Sequence, residues 1–215
     1  MLRISNILFA TLLTALSYGA IAKPVNAISF SSTTGTLNDS PDGTPIKTDF
    51  TFIVSGVTNA PSYNYSLNIN LSHADLQELE GYLINNASGR TINLFSTLSG
   101  ANLINTTFTD GQPLLSSSSK LSYTGSFAPE NNSFNEFPSV TATNFSDFNS
   151  DIQNTTWTLR IYDSANGNVG TLNSATLNIT PVPFESDASA IVVSAGTLFA
   201  LYQWRKKRTL VNSKK

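Results

Sequence analysis

The stretch SYNYSLNINLSH, Ser62 to His73, limits the fold more than any other. Tyr63, Tyr65, Leu67, Ile69 and Leu71 alternate strictly with Ser and Asn. Side chains on an extended chain point to opposite faces in turn, so this pattern makes one apolar and one polar face. It is the signature of a half-buried β-strand. The pattern recurs as Phe50, Phe52 and Val54, then as Trp157, Leu159 and Ile161, and again as Ala175, Leu177 and Ile179. Between these runs lie the turn clusters NDSPDGTP, TDGQP, APENNS and SANGNVG. Several short alternating strands with turns between them predict an all-β antiparallel sandwich or jelly roll. Asn, Ser and Thr supply most of the polar residues, and they favour turns and strands over helix interiors. SHADLQELEGYL admits two readings. It is a helical turn containing Asp75 and capped by Ser72, or the end of one strand and the start of the next. Thr33 to Thr44 reads as a flexible lead-in or first loop, and the SSSSK run as a mobile loop.

The two ends obey other rules. Met1-Leu2-Arg3 is a short basic start, Ile7 to Leu16 is mostly apolar, and small-residue sites follow at Ala20-Ile21-Ala22 and Val25-Asn26-Ala27. That order predicts a signal peptide over residues 1–27, cut after Ala22 or Ala27. At the other end, Ala188 to Trp204 is 17 residues without charge. As a helix it would span about 26 Å, against a hydrocarbon core of about 30 Å. Tyr202 and Trp204 sit where interfacial aromatics belong, and Arg205, Lys206, Lys207 and Arg208 form a basic stop. A C-terminal transmembrane helix is the expectation for this segment.

Charge partitions the same way. From Ile28 to Phe184 there are four basic and twelve acidic residues, a charge of −8, although the whole chain carries −2. An acidic middle argues against nucleic acid as a partner. It suits divalent cations with oxygen ligands. Asp163, Asn166 and Asn168 place oxygens on one turn that can take Ca²⁺ or close as a hydrogen-bonded Asx turn. Asp110 at TDGQP has the same two readings. With no cysteine in the chain, disulfides and thiolate sites are excluded.

No catalytic constellation stands out. The single histidine, His73, is two residues from Asp75, so on a strand the two would share a face and hydrogen-bond locally. No GxSxG elbow accompanies them, and Glu78 and Glu80 read as solvated. The expectation is a non-enzymatic module.

Two resemblances add to this reading. Pro183-Phe184-Glu185, the apolar segment and the basic cluster together resemble the PEP-CTERM class of bacterial sorting signals, in the form found in cyanobacterial surface proteins. That resemblance implies export, membrane retention through the C-terminal helix, and processing by an exosortase-like membrane enzyme. Delivery to the cell surface, envelope or extracellular matrix would follow. In the middle, LSHADLQ, NNASGRTINLF, TTFTDG, GSFAPENN and the long FNSDIQNTTWTLRIYDSANGNVGTLNSATLNIT follow the order of the P domain of proprotein convertases. His73, Asp75, Trp157 and Gly170 fall in its motifs. The resemblance implies a jelly-roll sandwich over residues 62–181, with the lead-in and first strands at 28–61 and the sorting segment at 182–215. In that family the chemistry belongs to a separate subtilisin-like domain, so the resemblance also implies a binding or structural module. Two alternatives stay open: an accessory domain of a secreted subtilisin-like protease system, or a carbohydrate-binding module using Tyr63, Tyr82, Tyr123 and Tyr162.

Overall fold

The computed structural model describes residues 26–130 and 139–183. The expected signal peptide up to Val25, Phe184, Glu185, the membrane helix and the basic stop lie outside the described residues. Among the described residues, no helix is long and apolar enough to cross a membrane.

Among the described residues there are ten strands: β1 Ile28–Ser31, β2 Gly35–Thr36, β3 Ile46–Ile53, β4 Ser62–Ser72, β5 Leu79–Asn85, β6 Thr91–Ser96, β7 Asn102–Phe108, β8 Ser122–Phe127, β9 Thr156–Asp163 and β10 Thr171–Val182. They form two sheets. The first has the order β1-β10-β4-β7-β8, with β2 also pairing β10; the second has the order β3-β9-β5-β6. The protein is therefore all-β and two-sheeted, as the alternation predicts. Pairing is antiparallel throughout except between β7 and β8, which run parallel. That exception pairs strands that are consecutive in the chain, so the segment between them must carry the chain back the length of the sheet. It does so through Leu115–Ser117, a 3-10 turn that buries Leu115. The run read as a mobile loop is thus partly tied down: the Ser116 hydroxyl donates to the buried Glu130 carboxylate at 2.6 Å.

The core lies between the sheets. Tyr65, Leu67, Ile69 and Leu71 enter it from β4, Leu177 and Ile179 from β10, and Trp157, Leu159, Phe50 and Phe52 from the second sheet. Each such side chain, fully buried, contributes on the order of 1.5–3 kcal/mol. Trp157 packs on Phe148 at 4.9 Å between ring centroids and donates its indole N–H to the Gln153 carbonyl at 3.2 Å. That donation satisfies the one polar group the ring carries. Gly81 on β5 stands opposite Phe95 on β6, and a Cβ there would fall 2.3 Å from the Phe95 ring. The glycine is the seat of that ring. Asn105 takes a positive φ of 47° where the β7–β8 register shifts, a bulge position that Asn tolerates.

The local readings are decided here. Of the two readings of SHADLQELEGYL, the end of one strand and the start of the next is the one found: β4 ends at Ser72, one 3-10 turn covers Leu76–Glu78, and β5 follows at once. Its cap is Asp75, whose carboxylate accepts the Gln77 N–H at 2.9 Å; Ser72 does not cap it. Thr33 to Thr44 is packed. It contains β2, buries Leu37 and Ser40, and ties Asn38 to Thr48 and Lys47.

Candidate functional site

The sequence places its chemistry-bearing residues on one histidine, two acidic turns and a tryptophan. The structure brings His73 and the Asp163 turn together and leaves the others apart.

Register explains the meeting. The antiparallel pairing of β4 with β10 sets Ser72 opposite Thr171. The next residue on one side is His73 and the preceding residue on the other is Gly170, so the two abut. A Cβ on Gly170 would lie 2.5 Å from the His73 ring and 3.1 Å from the Ser72 carbonyl. The missing side chain is what admits the imidazole. The ring is buried, and the His73 backbone N–H donates to Asn102 Oδ1 at 3.0 Å.

Both ring nitrogens are engaged. Nδ1 lies 2.8 Å from the Asp75 carbonyl and 3.1 Å from the Asp75 N–H. Nε2 faces the Asn168 carbonyl at 3.0 Å and Asp163 Oδ2 at 3.5 Å. Both groups facing Nε2 are acceptors, so that nitrogen carries a proton. The local bond expected between His73 and Asp75 is present, but it reaches the Asp75 backbone. The carboxylate that His73 meets is Asp163, 90 residues along the chain. The Asp75 carboxylate is occupied with its cap.

Asp163 ends β9, buried. Its Oδ1 accepts the Ala165 N–H at 3.2 Å, which is an Asx turn, and its Oδ2 is buried without a hydrogen bond. Burial pushes its carboxyl above the ordinary value of 3.8, and Asp39 and Glu78 push the same way. The Ala165 N–H and His73 pull against them.

The rest of the turn is held by acids that the sequence reading passes over. Glu78 accepts from the Asn168 amide at 3.0 and 3.1 Å, and its carbonyl accepts the Ser164 N–H at 2.9 Å. The Asp39 carboxylate accepts the Gly167 N–H at 3.2 Å, and the Asn166 amide donates to the Pro41 carbonyl at 2.8 Å. Glu78 is therefore a clamp on residues 163–168, not a solvated neighbour of Glu80. Its spacing from Asn168 carries no local signal; only the sandwich topology brings them together. Apart from Asp163 Oδ2, the engaged oxygens here need no cation to satisfy them. Among the described residues, no three His, Cys, Asp or Glu groups converge closely enough to hold a metal ion.

Asp110 does different work. Its two oxygens accept the N–H groups of Phe145 at 2.7 Å and Ser146 at 2.9 Å. These are orphan donors at the start of the 3-10 segment Phe145–Ser150. The contact places Phe145 on the Tyr65 ring, 6.3 Å between centroids. Trp157 is a core residue, as above.

The chain matches no family model. No curated protein matches it either. The aromatic platform for sugars loses most of its members: Tyr63, Tyr82 and Tyr123 are buried. Tyr82 packs edge-on against Tyr162 at 6.0 Å and donates its hydroxyl to Glu80 at 2.6 Å.

Chemically, the His73 corner closes a loop. The imidazole bridges the end of β4, the Asp75 turn and the loop before β10; its hydrogen bonds are to backbone atoms, and one buried carboxylate lies beside it at 3.5 Å.

Proposed function

We propose that this protein is exported and sorted to the cell surface through its C-terminal segment, and that its β-sandwich is a non-catalytic binding or structural module. The observation that carries this reading is where the sandwich stops. β10 ends at Val182, and Pro183-Phe184-Glu185 begins at the next residue. β1 begins at Ile28, one residue after Ala27. Cuts at both sites would leave every strand intact. Sequence order adds support, because basic start, apolar run and small-residue site come first, and motif, apolar segment and basic cluster come last. The membrane segment would hold the precursor while an exosortase-like enzyme acts at Pro183–Glu185.

The test is to change Pro183, Phe184 and Glu185 together to Ala in the native host and fractionate the cells. The variant is expected to accumulate in the membrane fraction with its tail attached, while the unaltered protein reaches the surface. The same distribution for both would count against the motif. A cytoplasmic location for both would overturn the whole reading.

A further inference from the structure

None of the six strands of the first sheet contains an Asp, Glu, Lys or Arg. Protein surfaces normally carry both signs of charge in quantity, and this module is acidic. The charges lie elsewhere. The second sheet alone carries Lys47, Asp49, Glu80, Arg160 and Asp163 in its strands.

The outer face of the first sheet is instead lined by hydroxyls and amides joined across strands. One rung runs Ser29–Asn178–Ser66, with hydrogen bonds of 2.6 and 3.2 Å. The next runs Thr176–Asn68–Thr107, with Asn68 donating to Thr107 at 3.0 Å. Of the exposed large apolar residues, only Ile104 lies in these strands.

We infer that this face binds an uncharged, hydroxyl-rich polymer, a neutral polysaccharide. The inference rests on reading the sandwich as a binding module and names its face and partner. Charge decides between partners. Nucleic acids and anionic polymers find no cation on these strands. A basic protein finds no acid there. A bilayer or apolar peptide would bury amides and hydroxyls without partners, which costs free energy. A second copy would pair the same hydroxyls and amides, which already bond to one another across the strands. A neutral polyol loses nothing to charge desolvation and can both donate to and accept from every rung. The cross-strand bonds already fix the side chains, so less entropy is lost on binding.

The test uses the full-length protein in detergent on columns of cellulose, cross-linked dextran and cross-linked alginate. Retention is expected on cellulose or dextran, and unchanged between about 0.05 and 0.5 M NaCl, since no ion pair is involved. Thr176→Lys and Asn68→Lys should each weaken retention by about tenfold or more. Thr51→Lys, on the outer face of the second sheet, should leave it unchanged. Thermal melts of all three variants check that they fold, and if either first-sheet variant fails to fold, the other carries the test. No retention on cellulose or dextran overturns the inference. So does retention on alginate alone, or concentration-dependent self-association that Thr176→Lys abolishes. A surface-located, correctly trimmed protein that binds no neutral polymer would sink this inference and leave the sorting proposal standing.

Discussion

The two sheets share one core and differ in what they show to water. The second sheet carries charge: Arg160 grips Asp49 at 2.6 and 2.7 Å, and Glu80 covers the buried Tyr82 by accepting its hydroxyl. The first sheet shows hydroxyls and amides, with Ile104 the one large exposed apolar side chain among its described strands and no charge. Packing does not require this difference, since both sheets send buried apolar side chains into the one core. The inner faces therefore report how the chain folds, and the outer faces report what it meets.

The largest effects should come from the shared core and be alike in the two sheets. Trp157→Ala should cost about 3–5 kcal/mol, and Leu67→Ala about 2–5 kcal/mol. Both are measured by urea denaturation. A cost under about 1 kcal/mol at Leu67 would mean that the first sheet does not share the core.

Next comes the corner that joins the sheets. Gly170→Ala drives a methyl into His73 and the Ser72 carbonyl, and should cost about 1–3 kcal/mol. Loss of the His73 contacts should show as a shift of the single imidazole signal in the NMR spectrum. An unshifted signal with unchanged stability would mean that Gly170 is not the seat of the ring.

The third effect depends on pH. Asp163 has its folded pKa raised from 3.8, chiefly by burial. Between 3.8 and the raised value, the folded state keeps a proton that the unfolded state has lost. Stability therefore falls as pH rises through that window. Asp163→Asn removes the titration, so its stability relative to the unaltered protein should improve from about pH 4 upward. Urea midpoints at a series of pH values read this directly. A difference independent of pH would show that the carboxyl is not held up by its burial.

The smallest effects belong to the outer faces. Breaking the Asp49–Arg160 pair should cost about 1 kcal/mol or less and fade in high salt, because both side chains are partly exposed. A double-mutant cycle measures the coupling. Thr176→Lys on the first sheet should change stability by no more than about 0.5 kcal/mol, so its effect on binding can be read separately.

Much of the fold was legible because period-two alternation is a local property. Tyr65, Leu67, Trp157, Leu159, Leu177 and Ile179 all point inward as their parity requires. Less of the corner was legible. His73 and Asp75 are neighbours in the chain, so parity offered that pair, but a turn after Ser72 redirects Asp75 to its own cap. Asp163, Glu78 and Asp39 reach the corner only through strand order, which no local spacing encodes. Gly170 was marked by its motif, yet its role as the seat of the imidazole needed the β4–β10 register. Asp110 was singled out as an acidic turn, while the N–H groups it caps lie 35 residues away.

One measurement bears most directly on the central claim: the intact mass of the mature protein purified from fractionated cells of its native host. The account predicts a surface-fraction species that begins after Ala22 or Ala27 and ends near Pro183–Glu185, with all ten strands retained. A cytoplasmic species running from Met1 to Lys215 would contradict it.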